Sequence, residues 1–186
     1  MNIESLKILI DHAATHTPPK AILDYCGQYY SPYYYALFQL AMSKPSFCVE
    51  LGVETGRGSF AMLLGGARVV GIDEHNHDSE ARLKDERQFT LIKASSTPVP
   101  RILVDMHAKI DILHIDTEHS FAQAREEFKA YKGMLSDGAI VCFDDTNAME
   151  GEVLKFVESL PYEHIRDDRL HPESGYAMMI YRKDVT

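Results

Sequence analysis

The chain has 186 residues, 45% hydrophobic and 25% charged, which suits one soluble domain (1–186) long enough to bury a full core. Its net charge of −9 argues against nucleic acid as a partner, because holding a phosphate backbone relies on clustered Lys and Arg. No apolar stretch approaches the roughly 20 residues needed to span a bilayer. The opening Met1-Asn-Ile-Glu-Ser lacks the basic-then-apolar order of a signal peptide, so a cytoplasmic protein with no membrane partner is expected.

In chain order, the first 44 residues read as a helical N-terminal cap and residues 45–186 as an α/β core. A helix is predicted from Ile3 to Thr15, then a break at Pro18-Pro19 and a weaker helix around Ala21 to Cys26. Five tyrosines follow at 29, 30, 33, 34 and 35. Each offers an apolar face and a polar tip, suited either to a lid stacking on an acceptor or to the interface of a homo-oligomer. The next helix, Tyr34 to Met42, should stop at Ser43-Lys44-Pro45.

From Ser46 onward strands and helices alternate. Strands are expected at 46–51, 68–72, 89–93, 110–115 and 139–143, and helices at 58–65, 79–86, 98–106, 120–135 and 150–159. Such alternation means a parallel sheet covered on both faces. Tyr162 to Arg166 and Tyr176 to Tyr181 read as two further strands, joined by a polar loop with Pro172 and Gly175 and able to form an antiparallel edge. The expected fold is a doubly wound, mostly parallel, seven-stranded Rossmann-like sheet with its last strand antiparallel. Cys48 and Cys142 fall in buried strands and read as small core residues, and Cys26 has no His or Cys neighbour in sequence.

Strand one runs into Glu50-Leu-Gly52-Val-Glu-Thr-Gly56-Arg-Gly58-Ser59, where glycines allow a tight turn and a close approach to ligand ahead of a helix N-terminus. No Walker lysine follows. Gly56-x-Gly58-x-x-Ala61 fits the loose dinucleotide fingerprint, which leaves a nicotinamide-dependent oxidoreductase as an alternative, although in that fingerprint the first glycine comes directly off the strand. Strand two ends in Asp73, whose carboxylate can accept hydrogen bonds from both hydroxyls of a ribose. A nucleoside ligand is the economical reading; the plainer one is that the glycines permit a turn and Asp73 caps a helix. His75-Asn-His77-Asp78 reads as a solvated loop and His114 as a core residue.

Two strands, 110–115 and 139–143, end in carboxylates, Asp116 and Asp144-Asp145. The helical stretch from Ser120 to Leu135, broken by Ser136-Asp137-Gly138, makes this a βαβ unit. A right-handed crossover sets the strands parallel, so their carboxyl ends share the edge where open α/β sheets bind ligands. Three carboxylates and His119 should therefore converge. Crowded carboxylates raise one another's pKa unless a cation neutralises them; the simpler alternative is that they cap helices.

On these residues the chain resembles the class I S-adenosylmethionine-dependent methyltransferases from Ser46 to Arg182. Glu50-x-Gly52-x-x-x-Gly56 is similar to their first motif, and Asp73 to their ribose-binding acid. The later segment resembles the subgroup of macrolide-sugar and catechol-type O-methyltransferases. The resemblance implies S-adenosylmethionine held by Glu50, Gly52, Gly56, Ser59, Asp73 and Ser95. It also implies Mg²⁺ or another divalent cation on Asp116, Asp144 and Asp145, and a base at His119 beside Asp116. A cation of that kind prefers oxygen ligands and would acidify a bound hydroxyl, so the expected partner is a small hydroxylated acceptor: sugar, diol or phenol. The chain departs from the subgroup at Thr117-Glu118 and at Ala94-Ser95, where Gly-Asp is usual. A domain that binds the cofactor without turnover is the second alternative.

Overall fold

A computed structural model of the chain describes residues 1–44, 46–75 and 78–185. The first helix, α1 (Ile3–Thr15), starts where the Asn2 side chain accepts the Ser5 N–H at 2.9 Å, a side-chain cap for an otherwise unpaired donor. It buries Leu6, Ile10 and Ala13. After Pro18-Pro19 come α2 (Lys20–Cys26) and α3 (Pro32–Ser43), the latter opening on a proline at its first turn, where a missing N–H costs nothing. The stop expected at Pro45 lies outside the described residues, as do Asn76 and His77 of the histidine loop.

The core then alternates as β1 (Phe47–Leu51), α4 (Arg57–Leu64), β2 (Arg68–Asp73), α5 (Ser79–Leu83), β3 (Phe89–Lys93), α6 (Arg101–Asp105), β4 (Ile110–Ile115), α7 (Phe121–Tyr131), β5 (Leu135–Asp144), α8 (Glu152–Ser159), β6 (His164–Arg166) and β7 (Tyr176–Ile180). The seven strands lie in the order β3-β2-β1-β4-β5-β7-β6. All are parallel except β7, which runs antiparallel to both β5 and β6. The order reverses between β1 and β4, so the crevice between their carboxyl ends is the natural binding position.

Alternation along the strands divides the core into two layers. Cys48, Ile112, Cys142 and Met178 face α1, α2, α3 and α4, with Leu6, Ile10, Ile22 and Leu37 packed against them. Val49, Leu113, Val141 and Met179 face the opposite side, under Leu103, Phe128, Phe156 and Val157 of α6, α7 and α8. The three cysteines are buried and free, consistent with small apolar core residues. Among the described residues no helix is long and apolar enough to cross a membrane.

Several boundaries differ from expectation for identifiable reasons. The helix expected to reach Leu135 ends at Tyr131 and tightens into a 3₁₀ turn over Lys132–Met134. Ser136-Asp137-Gly138 lies inside β5 rather than before it, at a register shift opposite Ile110 and Ile112, with Gly138 supplying a φ of +76°. Pro98 and Pro100 delay α6 to Arg101, since the residue before a proline avoids the helical region. Finally, β7 lies inside the sheet and β6 forms its edge.

Candidate active site

The carboxyl ends of the parallel strands open into a cavity of about 1230 Å³ whose wall includes Gly52, Asp73, Ser95, Asp116, His119, Asp144 and Asp145. Gly52 has φ +79°, and its N–H donates to the Ile72 carbonyl at 2.9 Å while the Asp116 N–H donates to the Leu51 carbonyl at 2.8 Å. A Cβ on Gly52 would collide with the Asp116 carbonyl. The first glycine of the motif is therefore what lets the β1 turn lie directly against the end of β4.

Asp73 is committed to the same turn. Its Oδ2 accepts the N–H groups of Val53 (2.8 Å) and Glu54 (3.0 Å), and its Oδ1 accepts that of His75 (2.8 Å). Glu50, Gly56 and Ser59, expected to touch the cofactor, do not line the cavity. Glu50 is 2% exposed; the Ser59 hydroxyl donates to it, and His114 Nδ1 sits 3.0 Å from its other oxygen. A Cβ on Gly58 would strike the Glu50 carboxylate, and one on Gly56 would meet Leu83. The second and third glycines thus serve packing, which removes the basis of a pyrophosphate cradle there.

The two acid clusters meet. His119 Nε2 lies 2.9 Å from Asp145 Oδ2 and 3.7 Å from Asp116 Oδ1. Asp145 has φ +51°, a left-handed backbone that Asp tolerates better than most residues. Its own N–H donates to Asp144 Oδ1 at 2.9 Å. On the far side stands His171, with Nδ1 2.7 Å from Asp144 Oδ1 and 3.7 Å from Asp145 Oδ1. The sequence reading missed His171, because it arrives on the β6–β7 loop and has no spacing relation to the acids. Only the insertion of β7 beside β5 brings it there.

The electrostatics follow from this crowding. Loss of solvent and the neighbouring Asp144 push the Asp116 carboxyl up to about 6. Hydrogen bonds to Asp116 and then Asp145 raise the His119 imidazole to about 10. Burial alone would raise Asp145, but the His119 bond, Ser174 and the charge of both imidazoles hold it below the usual carboxylate range. Burial would likewise lower His171, and the Asp144 bond overrides it to raise its pKa. Beneath them His114 is fully buried, and its Nε2 has no hydrogen-bond partner among the described residues. A ring nitrogen of His114 lies within 4.8 Å of oxygens of Asp116 and Asp144, and two further triads, Asp116/His119/Asp145 and Asp144/Asp145/His171, are equally tight. Carboxylates and imidazoles at this spacing, with an orphaned buried nitrogen behind them, fit a divalent cation.

The departure at Thr117 has a structural counterpart. Glu127, fully buried on α7, accepts the hydroxyls of Ser96 (2.6 Å) and Thr117 (2.9 Å to each oxygen) and the Gln123 side-chain amide (2.9 Å). Thr117 thus ties the β4 loop to α7. The tyrosine run divides: Tyr33 and Tyr34 are buried beside the acids, Tyr33 with its ring 5.2 Å from that of His171. Tyr29 is exposed on the rim, where the Arg57 guanidinium covers its ring at 4.6 Å.

Comparison with known proteins bears directly on this site. The model of the family described as "Methyltransferase domain" matches residues 49–146. Comparison with curated protein sequences gives no match. Among solved structures, a putative caffeoyl-CoA O-methyltransferase from Staphylococcus aureus is similar at TM-score 0.66 and 18% identity, covering 95% of this chain and 99% of that one. The SAH-bound Podospora anserina methyltransferase PaMTH1 gives 0.64 and 16%, covering 98% and 89%. The apo TDP-rhamnose 3'-O-methyltransferase CalS11 of calicheamicin biosynthesis gives 0.60 and 19%, covering 96% and 93%.

Proposed function

Since the chain belongs to the methyltransferase-domain family of class I S-adenosylmethionine-dependent enzymes, we propose that it methylates a hydroxyl of a small molecule with the help of a divalent cation. The observation that carries this reading is the meeting of Asp116, His119, Asp144 and Asp145 on the wall of the cavity that Gly52 and Asp73 also line. Bound S-adenosylmethionine supplies an electrophilic methyl group for in-line displacement. The residues must then align the two partners and remove the acceptor's proton.

In this reading Asp73, Gly52 and Ser95 hold the nucleoside end of the cofactor, while Glu50, Ser59 and Gly56 act from below by fixing the turn. Asp116, Asp144 and Asp145 would hold the cation, with Mg²⁺ favoured by the hardness of their oxygens. A cation there would lower the pKa of a coordinated hydroxyl. His119 is placed to take the acceptor's proton at Nε2; with Asp116 and Asp145 engaged by a cation, the pull that keeps it protonated would be relieved. Tyr29 and Tyr30 form the rim against which an aromatic or sugar acceptor stacks. The acidic excess of the chain supports a small acceptor over a nucleic acid.

The test is calorimetry on metal-stripped protein, titrating S-adenosylmethionine and NAD in parallel with and without Mg²⁺. Micromolar binding of S-adenosylmethionine alone is expected, with a separate cation heat lost in Asp144→Ala. Methyl transfer to a panel of phenols, diols and sugars should fall by about 100-fold or more in that variant. Undiminished turnover by Asp144→Ala in excess chelator would end the metal role.

A further inference from the structure

The donor set contains more than oxygen. His171 is fixed in place by contacts on both sides of its loop. The Asn147 N–H donates to the Ser174 carbonyl at 2.6 Å, the Thr146 N–H to that of Gly175 at 3.3 Å, and the Gly175 N–H to that of His171 itself at 2.8 Å. The Tyr33 N–H donates to the Leu170 carbonyl at 3.0 Å, and Arg169 pairs with Asp11 of α1 at 3.0 Å. Ser174 Oγ stands 2.9 Å from His171 Nδ1. The imidazole is thereby presented to Asp144 and Asp145 by a loop bound to the segment that follows β5 and to α1 and α3.

Ligand atoms at neighbouring positions around a small divalent cation stand about 3 Å apart when the bonds are about 2.1 Å. His171 Nδ1 lies 2.7 Å from Asp144 Oδ1 and 3.7 Å from Asp145 Oδ1, on either side of that spacing. The fully buried His114, with Nε2 lacking a hydrogen-bond partner among the described residues and a ring nitrogen within 4.8 Å of oxygens of Asp116 and Asp144, is a second, independent sign that the cluster is built around a ligand.

We propose that His171 is a ligand of this centre together with Asp144 and Asp145, and that the site therefore selects a first-row transition divalent ion over Mg²⁺. The assignment rests on the metal reading of the proposed function and changes its expected ion. Imidazole nitrogen suits Mn²⁺ weakly and Fe²⁺, Ni²⁺ and Zn²⁺ strongly, whereas Mg²⁺ is served by carboxylate and water.

The experiment is calorimetric titration of metal-stripped full-length protein with Mg²⁺, Mn²⁺ and Ni²⁺, for the wild type, His171→Asn and His119→Asn. Wild type should bind Ni²⁺ at least about tenfold tighter than Mg²⁺. His171→Asn should lose roughly 10–100-fold of Ni²⁺ affinity while Mg²⁺ affinity and the thermal midpoint stay close to wild type. In the Mn²⁺-loaded protein, the ¹⁴N modulation of the electron spin echo from directly bound imidazole should be sharply reduced in His171→Asn and unchanged in His119→Asn. Equal affinities for the three ions in wild type, or a Ni²⁺ preference and ¹⁴N signal untouched by His171→Asn, would overturn the assignment while leaving an oxygen-bound metal centre standing. Absence of binding by any cation would overturn the centre and the assignment together.

Discussion

His119 shows how much a single side chain is shaped by its partners. Its pKa is raised from 6.5 to about 10 by Asp116 and Asp145, so in the metal-free fold it is an imidazolium. A group whose folded pKa lies above its unfolded value stabilises the fold fully below about 6.5, and that contribution drains away as pH rises through about 10. The thermal midpoint of metal-free protein should therefore fall between pH 7 and pH 10, and the fall should be smaller in His119→Asn; parallel scans across that range check it. The spacing of His119 from Asp116 made this pair legible in the sequence, because it matches the acid and base spacing of the family that the chain resembles. Glu127, Thr117 and Ser96 were not legible, since their mutual bonds depend on α7 lying over the ends of β3 and β4. Glu50 and Ser59 were legible as a motif, yet their burial was not, because a motif records which residues cluster and not which way they face.

Among the elements, the lower edge of the sheet is tied by Asp111 on β4. Its carboxylate accepts the Phe47 N–H of β1 at 3.0 Å, the Lys44 ammonium at 3.1 Å and the Ser136 hydroxyl of β5 at 3.0 Å. Burial would raise this carboxyl, and the Phe47, Lys44 and Ser136 bonds together bring it below the ordinary value. Asp111→Ala should cost about 1–3 kcal/mol, because the Phe47 N–H loses its acceptor in a part-buried position. Denaturant titration measures this, and the difference from wild type should shrink as pH falls through the lowered pKa, where the wild-type carboxylate is itself protonated. This tie also explains why β5 begins at Leu135. Ser136 is drawn to Asp111 and Ile110, so residues that read as a turn by composition become a bulged strand. Turn chemistry is local, and here a long-range hydrogen bond prevails.

For the whole molecule, strand and helix alternation and the parallel core could be read directly, because strands buried on both faces leave continuous apolar runs. The topology of the final hairpin could not. Both the inner position of β7 and the edge position of β6 follow from pairing choices that alternation patterns leave open. That interleaving carries a consequence for synthesis. A ribosome releases β6 before β7, yet among the described residues β6 pairs with β7 alone in the sheet. A nascent chain halted after Gly175 would hold every carboxylate of the cluster, at the ends of β4 and β5, but would leave β6 without its partner strand. Amide exchange at His164–Arg166 should then be as fast as in an unfolded peptide, and become protected once residues 176–181 are added.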